Sequence, residues 1–364
     1  MIIRVFVVGK CLTLLDYRKK SYIFQEKGLY KFMPQNDLAD LLLQWYRLNG
    51  RDLPWRVQGG AHPNPYVILV SEFMLQQTTV ATVIPYFHRF MARFPTIFDL
   101  ATAKEEEVYQ LWQGLGYYTR AKSLHATAKM IVNDFNGRFP ATREDVLKLK
   151  GIGPYTVASF LALAFNLPET VIDGNVMRII ARLYHLTKPL DEIADDIHLK
   201  ASALTSQLHP ADYASAIMDL GATVCTPKKP QCTLCPWNDF CLSKNLPDLE
   251  QIPQRKKLDK KEQFGCVYLI FNHKGDIFIR KRTEKGLLSG LYEFPWNTDQ
   301  KPLDNAQDTK NTVTHVFTHI KLTLKIYRLL CDKAPFDDGF FISPENIKDY
   351  AFSTLMKKVF SKAL

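Results

Sequence analysis

Cys225, Cys232, Cys235 and Cys241 fall within residues 225–241 in the spacing C-x6-C-x2-C-x5-C. Four thiolates this close in sequence can close around one metal centre, and their softness points to zinc or an iron–sulfur cluster. Cysteines that merely pack are a poor alternative for four in so short a span with prolines between them. Structural zinc sites more often use two C-x-x-C pairs across a longer loop, and only one such pair occurs here. The remaining cysteines, Cys11, Cys266 and Cys331, are scattered. An odd total with one tight group does not read as a secreted disulfide framework. It reads as a metal centre in a reducing cytoplasm.

The chain around this loop has 364 residues, 46% of them hydrophobic, enough for two domains with room for a third. Its net charge of +10 suits a polyanion, either nucleic acid or an acidic membrane surface. No run of eighteen apolar residues suggests a transmembrane helix. Residues 1–32 read as neither signal peptide nor anchor, because Arg4 and Lys10 interrupt the apolar patches and no small-residue cleavage site follows. Met33 looks like a natural domain start, which makes 1–32 an extension, non-native or disordered.

From Asn36 to Leu242 apolar residues recur at three- and four-residue spacing, the period of helices. Asp99, Thr142 and Asp173 stand just ahead of such runs, where N-caps belong. Residues 244–262 are charged, proline-containing and poor in large apolar groups, the composition of a linker. Beyond it, FGCVYLIFN, the HKGD turn and IFIRKR read as a β-hairpin, KLTLKIYRLLC as a strand, and the tail from Pro344 as helical. The expectation is multidomain: an all-α domain over 33–243, a linker, and a smaller α+β domain over 263–364.

Three features of the helical part carry chemistry. In VLKLKGIGPYTVASF, Gly151 and Gly153 allow a sharp turn into a helix whose first N–H groups can hold a phosphate, with Lys150 beside them. The bland alternative is an ordinary glycine-rich helix junction. Asp173, in VIDGNV, lies before Gly174 and a helix, where the dipole favours an anion; on local evidence alone it is a plain cap. Glu72, in VILVSEFMLQQT, is a lone carboxyl group in an apolar helical stretch, costly unless it is paired, with Arg56 as one partner, or functional.

Taken together these motifs resemble the helix–hairpin–helix DNA glycosylases, the family of endonuclease III and MutY. The cysteine spacing resembles that family's [4Fe–4S] loop, and RDLPWR, VSEFMLQQT and GLGYYTRA resemble the MutY pattern. Residues 263–364, through GLLSGLYEFPW and THVFTHIKLTL, resemble the Nudix-like C-terminal domain of MutY. The resemblance implies an adenine DNA glycosylase fold: an all-α helix–hairpin–helix glycosylase domain with a [4Fe–4S] cluster on the four cysteines, then an α+β Nudix-like domain. It implies excision of adenine mispaired with 8-oxoguanine or guanine in double-stranded DNA by a monomer, without a membrane, in a bacterial cytoplasm and on the nucleoid.

The same resemblance carries residue roles. Glu72 is the general acid toward adenine N7, and Asp173 the anion or nucleophile facing the sugar, with Asn175 beside it. Tyr155 stands where backbone-cutting relatives have a Schiff-base lysine, which implies a glycosylase without strand cleavage. Gln77 and Tyr117 are wedge candidates for the gap left by the flipped base, with Leu115 and Tyr118 as rivals. Arg56, Arg120 and Lys122 become candidate DNA contacts, as do Lys228 and Lys229 of the cysteine loop. Phe317, Thr318 and His319 are the implied 8-oxoguanine reader; the family commonly has serine where Thr318 stands. No R-E-x-x-E-E pattern follows GLLSGLYEFP, so the last domain reads as a recognition module and a nucleotide pyrophosphatase is disfavoured. Two other readings are an endonuclease III-like glycosylase–lyase, which Tyr155 and the C-terminal domain oppose, and a silent DNA-binding protein, which has no need of both Glu72 and Asp173.

Overall fold

The computed structural model describes backbone and side chains for residues 37–56, 63–254, 260–284 and 286–362, and backbone alone for the secondary structure outside those ranges. Within the N-terminal segment read as an extension, four strands, β1 (Arg4–Val8), β2 (Cys11–Asp16), β3 (Lys20–Gln25) and β4 (Gly28–Phe32), pair antiparallel in sequence order. Helices follow, as the period predicts: α1 (Gln35–Asn49), α2 (Pro65–Leu75), α3 (Val80–Arg93), α4 (Ile97–Thr102), α5 (Glu105–Trp112), α6 (Thr119–Asp134), α7 (Arg143–Lys148), α8 (Pro154–Phe165), α9 (Gly174–Leu183), α10 (Ala194–Leu204) and α11 (Pro210–Thr223). The chain ends in β5 (Lys261–Phe271), β6 (Ile277–Lys281), β7 (Tyr292–Glu293), β8 (Trp296–Asn297), β9 (Gln307–Val316), β10 (Ile320–Leu330), β11 (Gly339–Ile342) and α12 (Thr354–Ala363). Among the described residues no helix is long and apolar enough to cross a membrane.

Two compact units emerge, and they do not follow the chain linearly. The first holds residues 1–69, 141–148 and 152–256; the second holds 70–140, 149–151 and 257–364. In the first, α1, α9, α10 and α11 close around Leu42, Val176, Ile180, Leu220 and Trp237. Val176, Ile179, Ile180 and Leu183 fall on one face of α9 at helical spacing and are buried. Gly221 lets α11 approach that helix closely, since a Cβ there would lie 2.6 Å from the Cβ of Asn175. The segment after the cysteines, read as a linker from residue 244, belongs to this unit through Gln254. Ile252 is part of its core, and its carbonyl accepts from Arg182 Nε at 3.1 Å. Residues 255–259 lie outside the described residues, and β5 starts at Lys261.

In the second unit Phe90, Phe94 and Trp112 form an aromatic cluster among the helices. The C-terminal sheet runs β11-β6-β5-β10-β9, with β7 on β6 and β8 on β5. β5 and β10 are parallel and their other neighbours antiparallel, and the expected β5–β6 hairpin is present. α12 packs Leu355 and Val359 onto Leu322, Leu324 and Ile326 of the sheet.

Two of the three expected caps sit where they were placed. Thr142 Oγ1 accepts from Asp145 N, and Asp173 caps α9. Asp99 does not cap. Thr96 caps α4, and Asp99 occupies the third helical position of a reciprocal box, its carboxylate accepting from Thr96 N at 2.9 Å.

Candidate active site

Cys225 leaves the end of α11 with its N–H on Leu220 O at 2.7 Å, and two 3-10 turns, Cys232–Leu234 and Asn238–Phe240, carry the chain on to Cys241. The four cysteines line one cavity, with Arg182 and Lys244 at its wall. Burial pushes Cys235 up to about 12 and also raises Cys232 and Cys241. Thiolates at this site therefore depend on a metal's positive charge. Among the described residues no group of three or more His, Cys, Asp or Glu converges tightly enough to hold a single ion. Four thiols lining one cavity are a donor set that fits a [4Fe–4S] group.

In the same unit α9 begins at the cap formed by Asp173. Its Oδ1 accepts from Asn175 N at 2.8 Å and Val176 N at 2.7 Å, and its Oδ2 from Asn175 Nδ2 at 3.0 Å. Asn175 is held in turn by Arg178, whose Nη2 donates to Asn175 Oδ1 at 2.9 Å and Gly221 O at 2.7 Å, and whose Nε donates to Cys225 O at 2.8 Å. A continuous hydrogen-bonded path thus runs from the cysteine loop to the aspartate. Asp173 opens onto a cleft bordered by Arg178, Arg182, Pro227 and Glu250.

At the glycine turn Gly151 has φ +72, and an added Cβ would collide with Ser123. Gly153 is the N-cap of α8, with Pro154 in the first turn and open space where its Cβ would be. That opening is what lets a ligand approach the first N–H groups of α8. Tyr155, on the first turn of α8, donates its hydroxyl to Met218 Sδ at 3.8 Å.

Glu72 is 5% exposed, on the part of α2 that also buries Val70, Phe73 and Met74. The end of that helix is held by Arg120, which corrects the expectation that this arginine meets phosphate. Its Nη1 donates to Phe73 O at 3.0 Å, Met74 O at 2.8 Å and Gln76 O, and its Nη2 to Thr78 Oγ1 and Gly116 O. Burial lowers this guanidinium to about 10. Lys122 remains exposed. Gln77 and Tyr117 both have left-handed backbone, with φ 56 and 49, on the two turns that Arg120 ties together, and Tyr117 is 46% exposed.

Arg56, expected either beside Glu72 or on DNA, has a buried carboxylate beside it. It makes a two-pronged ion pair with Asp219 at 2.8 Å, shared with Arg51, and the Asp219 carboxylate is fully buried. Sequence reasoning missed Asp219. The signal was the one that singled out Glu72, a lone carboxyl group in an apolar helical run, here SAIMDLG.

Phe317, Thr318 and His319 form the β9–β10 turn, closed by Phe317 N on Ile320 O at 2.7 Å. Thr318 Oγ1 lies 3.2 Å from Tyr117 Oη, so a wedge candidate and a reader candidate meet directly. Also unforeseen were the side chains on and after α5 that grip the chain before α12. Gln110 Nε2 donates to Asp349 O at 2.5 Å, Gln113 Nε2 to Phe352 O at 3.2 Å, and Tyr118 Oη to Phe352 O at 3.4 Å.

Fold and site together define a base excision glycosylase of the helix–hairpin–helix class with an iron–sulfur loop. Residues 70–201 match the HhH-GPD superfamily of base excision DNA repair proteins, residues 225–241 the iron–sulfur binding domain of endonuclease III, and residues 266–362 the NUDIX domain. A solved thermostable thymine-DNA glycosylase superposes with a TM-score of 0.52 at 28% identity, covering 58% of this chain and 96% of that one. The adenine DNA glycosylase of Mus musculus is 32% identical, across 89% of this chain and 78% of its own length. That of Buchnera aphidicola subsp. Baizongia pistaciae (strain Bp) is 34% identical, across 79% and 83%. The chain belongs to the adenine DNA glycosylases, base excision repair enzymes that hydrolyse an N-glycosyl bond.

Proposed function

We propose that this glycosylase removes adenine mispaired with 8-oxoguanine or guanine in duplex DNA by hydrolysis alone, with Glu72 and Asp173 as its catalytic carboxyl groups. The carrying observation is the contrast between their surroundings. Glu72 is 5% exposed on α2, where bulk water is kept from the proton it would give. Asp173 is held by three N–H donors and opens onto a cleft, which fixes its orientation toward a ligand there.

The reaction needs that contrast. The adenine is first turned out of the stack, because its bond is out of reach inside the duplex. Glu72 gives a proton to adenine N7, the electron pair of the N-glycosidic bond leaves with the base, and C1′ of the sugar becomes cationic. Asp173 faces that positive charge, and water then bonds to C1′ and passes a proton to the Glu72 carboxylate, which is thereby restored, leaving adenine and an abasic sugar. Asn175 and Arg178 position Asp173. Tyr155 has no amine, so it forms no Schiff base with the sugar and the backbone stays intact.

The DNA is held by the N–H groups after Gly153, by the turn at Gly151 and by the exposed Lys122, Lys228 and Lys229. Gln77 and Tyr117 fill the space left by the base. The turn of Phe317, Thr318 and His319 reads the partner base, with Thr318 supplying the hydroxyl group. Cys225, Cys232, Cys235 and Cys241 would hold the [4Fe–4S] group, which when bound would tie down the 225–241 loop. The test is incubation with duplexes carrying adenine opposite 8-oxoguanine, guanine or thymine, followed by alkali. Breaks confined to the first two and appearing only after alkali support the proposal; breaks opposite thymine at equal rate, or breaks without alkali, refute it.

A further inference from the structure

Arg182 is the most completely buried arginine among the described residues, at 1% exposure. Its Nη1 donates to Thr226 O at 2.6 Å and lies 3.6 Å from Cys225 Sγ; its Nη2 donates to Pro227 O at 2.9 Å and its Nε to Ile252 O at 3.1 Å. Its own carbonyl accepts from Cys241 Sγ at 3.5 Å. Every one of these acceptors is a neutral carbonyl or a cysteine sulfur, and no carboxylate among the described residues lies within ion-pair distance of it.

A buried cation is costly without a counter-charge. Other buried or half-buried arginines of the described residues meet a carboxylate or the end of a helix, Arg178 doing the latter through Gly221 O in the last turn of α11. Arg56 has Asp219, and Arg280 and Arg282 share Glu293. Arg120 caps the last carbonyls of α2, where the helix dipole is negative. The carbonyls around Arg182 come from loop residues and offer no such dipole. The negative charge within its reach is that of the cysteines, of which its guanidinium touches Cys225.

We propose that Arg182 is the counter-cation of the iron–sulfur cluster, balancing the excess negative charge of four thiolates and thereby raising the cluster's reduction potential. A fixed positive charge favours the reduced form, which carries one more electron, so its removal lowers the potential. Arg182 is a positioning residue in this role, since it acts on the cluster through charge and through its grip on residues 225–227 and 252.

Two substitutions in the full-length holoprotein separate charge from grip. Arg182→Gln keeps some hydrogen bonding and loses the charge; Arg182→Lys keeps the charge and loses the planar fork. The readouts are the reduction potential by film voltammetry and the decay of cluster absorbance in excess chelator. Arg182→Gln is expected to lower the potential and to release iron about tenfold faster. Arg182→Lys is expected to release iron faster while keeping a potential close to that of the unchanged protein. An unchanged potential in Arg182→Gln overturns the proposal. So does a drop in Arg182→Lys as its cluster loosens, and this second result decides the matter even if Arg182→Gln does not fold. Absence of cluster absorbance in the unchanged protein would instead overturn the cofactor assignment itself.

Discussion

At the start of α9 the polar atoms are tied to protein partners, whereas at the β9–β10 turn they are left toward solvent. Asp173 accepts three hydrogen bonds, Asn175 is held by Arg178, and Arg178 reaches Cys225. Thr318 and His319 are exposed, and the Thr318 hydroxyl has a single neighbour in Tyr117. The difference follows from the work proposed for each. A group that meets a short-lived sugar cation gains from being fixed before substrate arrives, because reorganisation then costs nothing at the moment of reaction. A group that reads a base must keep its donors and acceptors free for that base.

The sharpest way to break this comparison is to remove charge without disturbing structure. Asparagine caps helices as well as aspartate does, so Asp173→Asn should leave the unfolding midpoint almost unchanged. Together with Glu72→Gln, it should lower single-turnover excision by about 10²–10⁴-fold for each change, with duplex binding retained in gel-shift titrations. Near-normal excision by either variant would remove the catalytic role.

A purely structural carboxylate should behave in the opposite way. Asp219→Asn strands Arg56 and Arg51 and should cost about 3–5 kcal/mol in chemical denaturation. Burial alone would raise Asp219, but Arg56 and Arg51 outweigh it and its pKa is lowered. A group depressed in the folded state contributes its full stability above its unfolded pKa of about 3.9 and loses it as pH falls through the folded value. Acid unfolding should therefore steepen below about pH 4, and the Asp219→Asn protein should lack that component.

Smaller effects belong to the reader. Thr318→Val keeps the shape and removes the hydroxyl. It should reduce the preference for 8-oxoguanine over guanine by about fivefold to tenfold, the worth of one hydrogen bond, with excision opposite guanine unaltered. Smallest is Gln113→Ala, which removes one donor to the 350–352 strip. Hydrogen exchange at those residues should quicken by the equivalent of about 1 kcal/mol, with little change in excision opposite guanine.

Much of this was legible before any coordinates. The change from helical period to alternation marks where strands begin, the cysteine spacing marks the loop, and Asp173 stands in cap position ahead of an amphipathic run. What escaped depends on partners far along the chain. In sequence Arg120 reads as a surface charge because arginine usually is one, and Arg56 as either a DNA contact or a partner for Glu72. Their burial follows from Asp219, 163 residues from Arg56, and from helix-end carbonyls about 45 residues from Arg120. Asp99 was misplaced by three residues because a box that uses both Thr96 and Asp99 offers two plausible caps in sequence. The segment after Cys241 has a linker's composition, yet Ile252 finds a place in the core. No local pattern could announce the pairing of Tyr117 with Thr318, 201 residues apart.

The most direct test is a single-turnover assay on a duplex with adenine opposite 8-oxoguanine, comparing the unchanged protein with Asp173→Asn. The account predicts free adenine and an abasic strand that breaks only with alkali from the former, and adenine release slower by about 10²-fold or more from the latter despite its intact fold. Adenine released at similar rates by both proteins, or a strand cut without alkali, would contradict it.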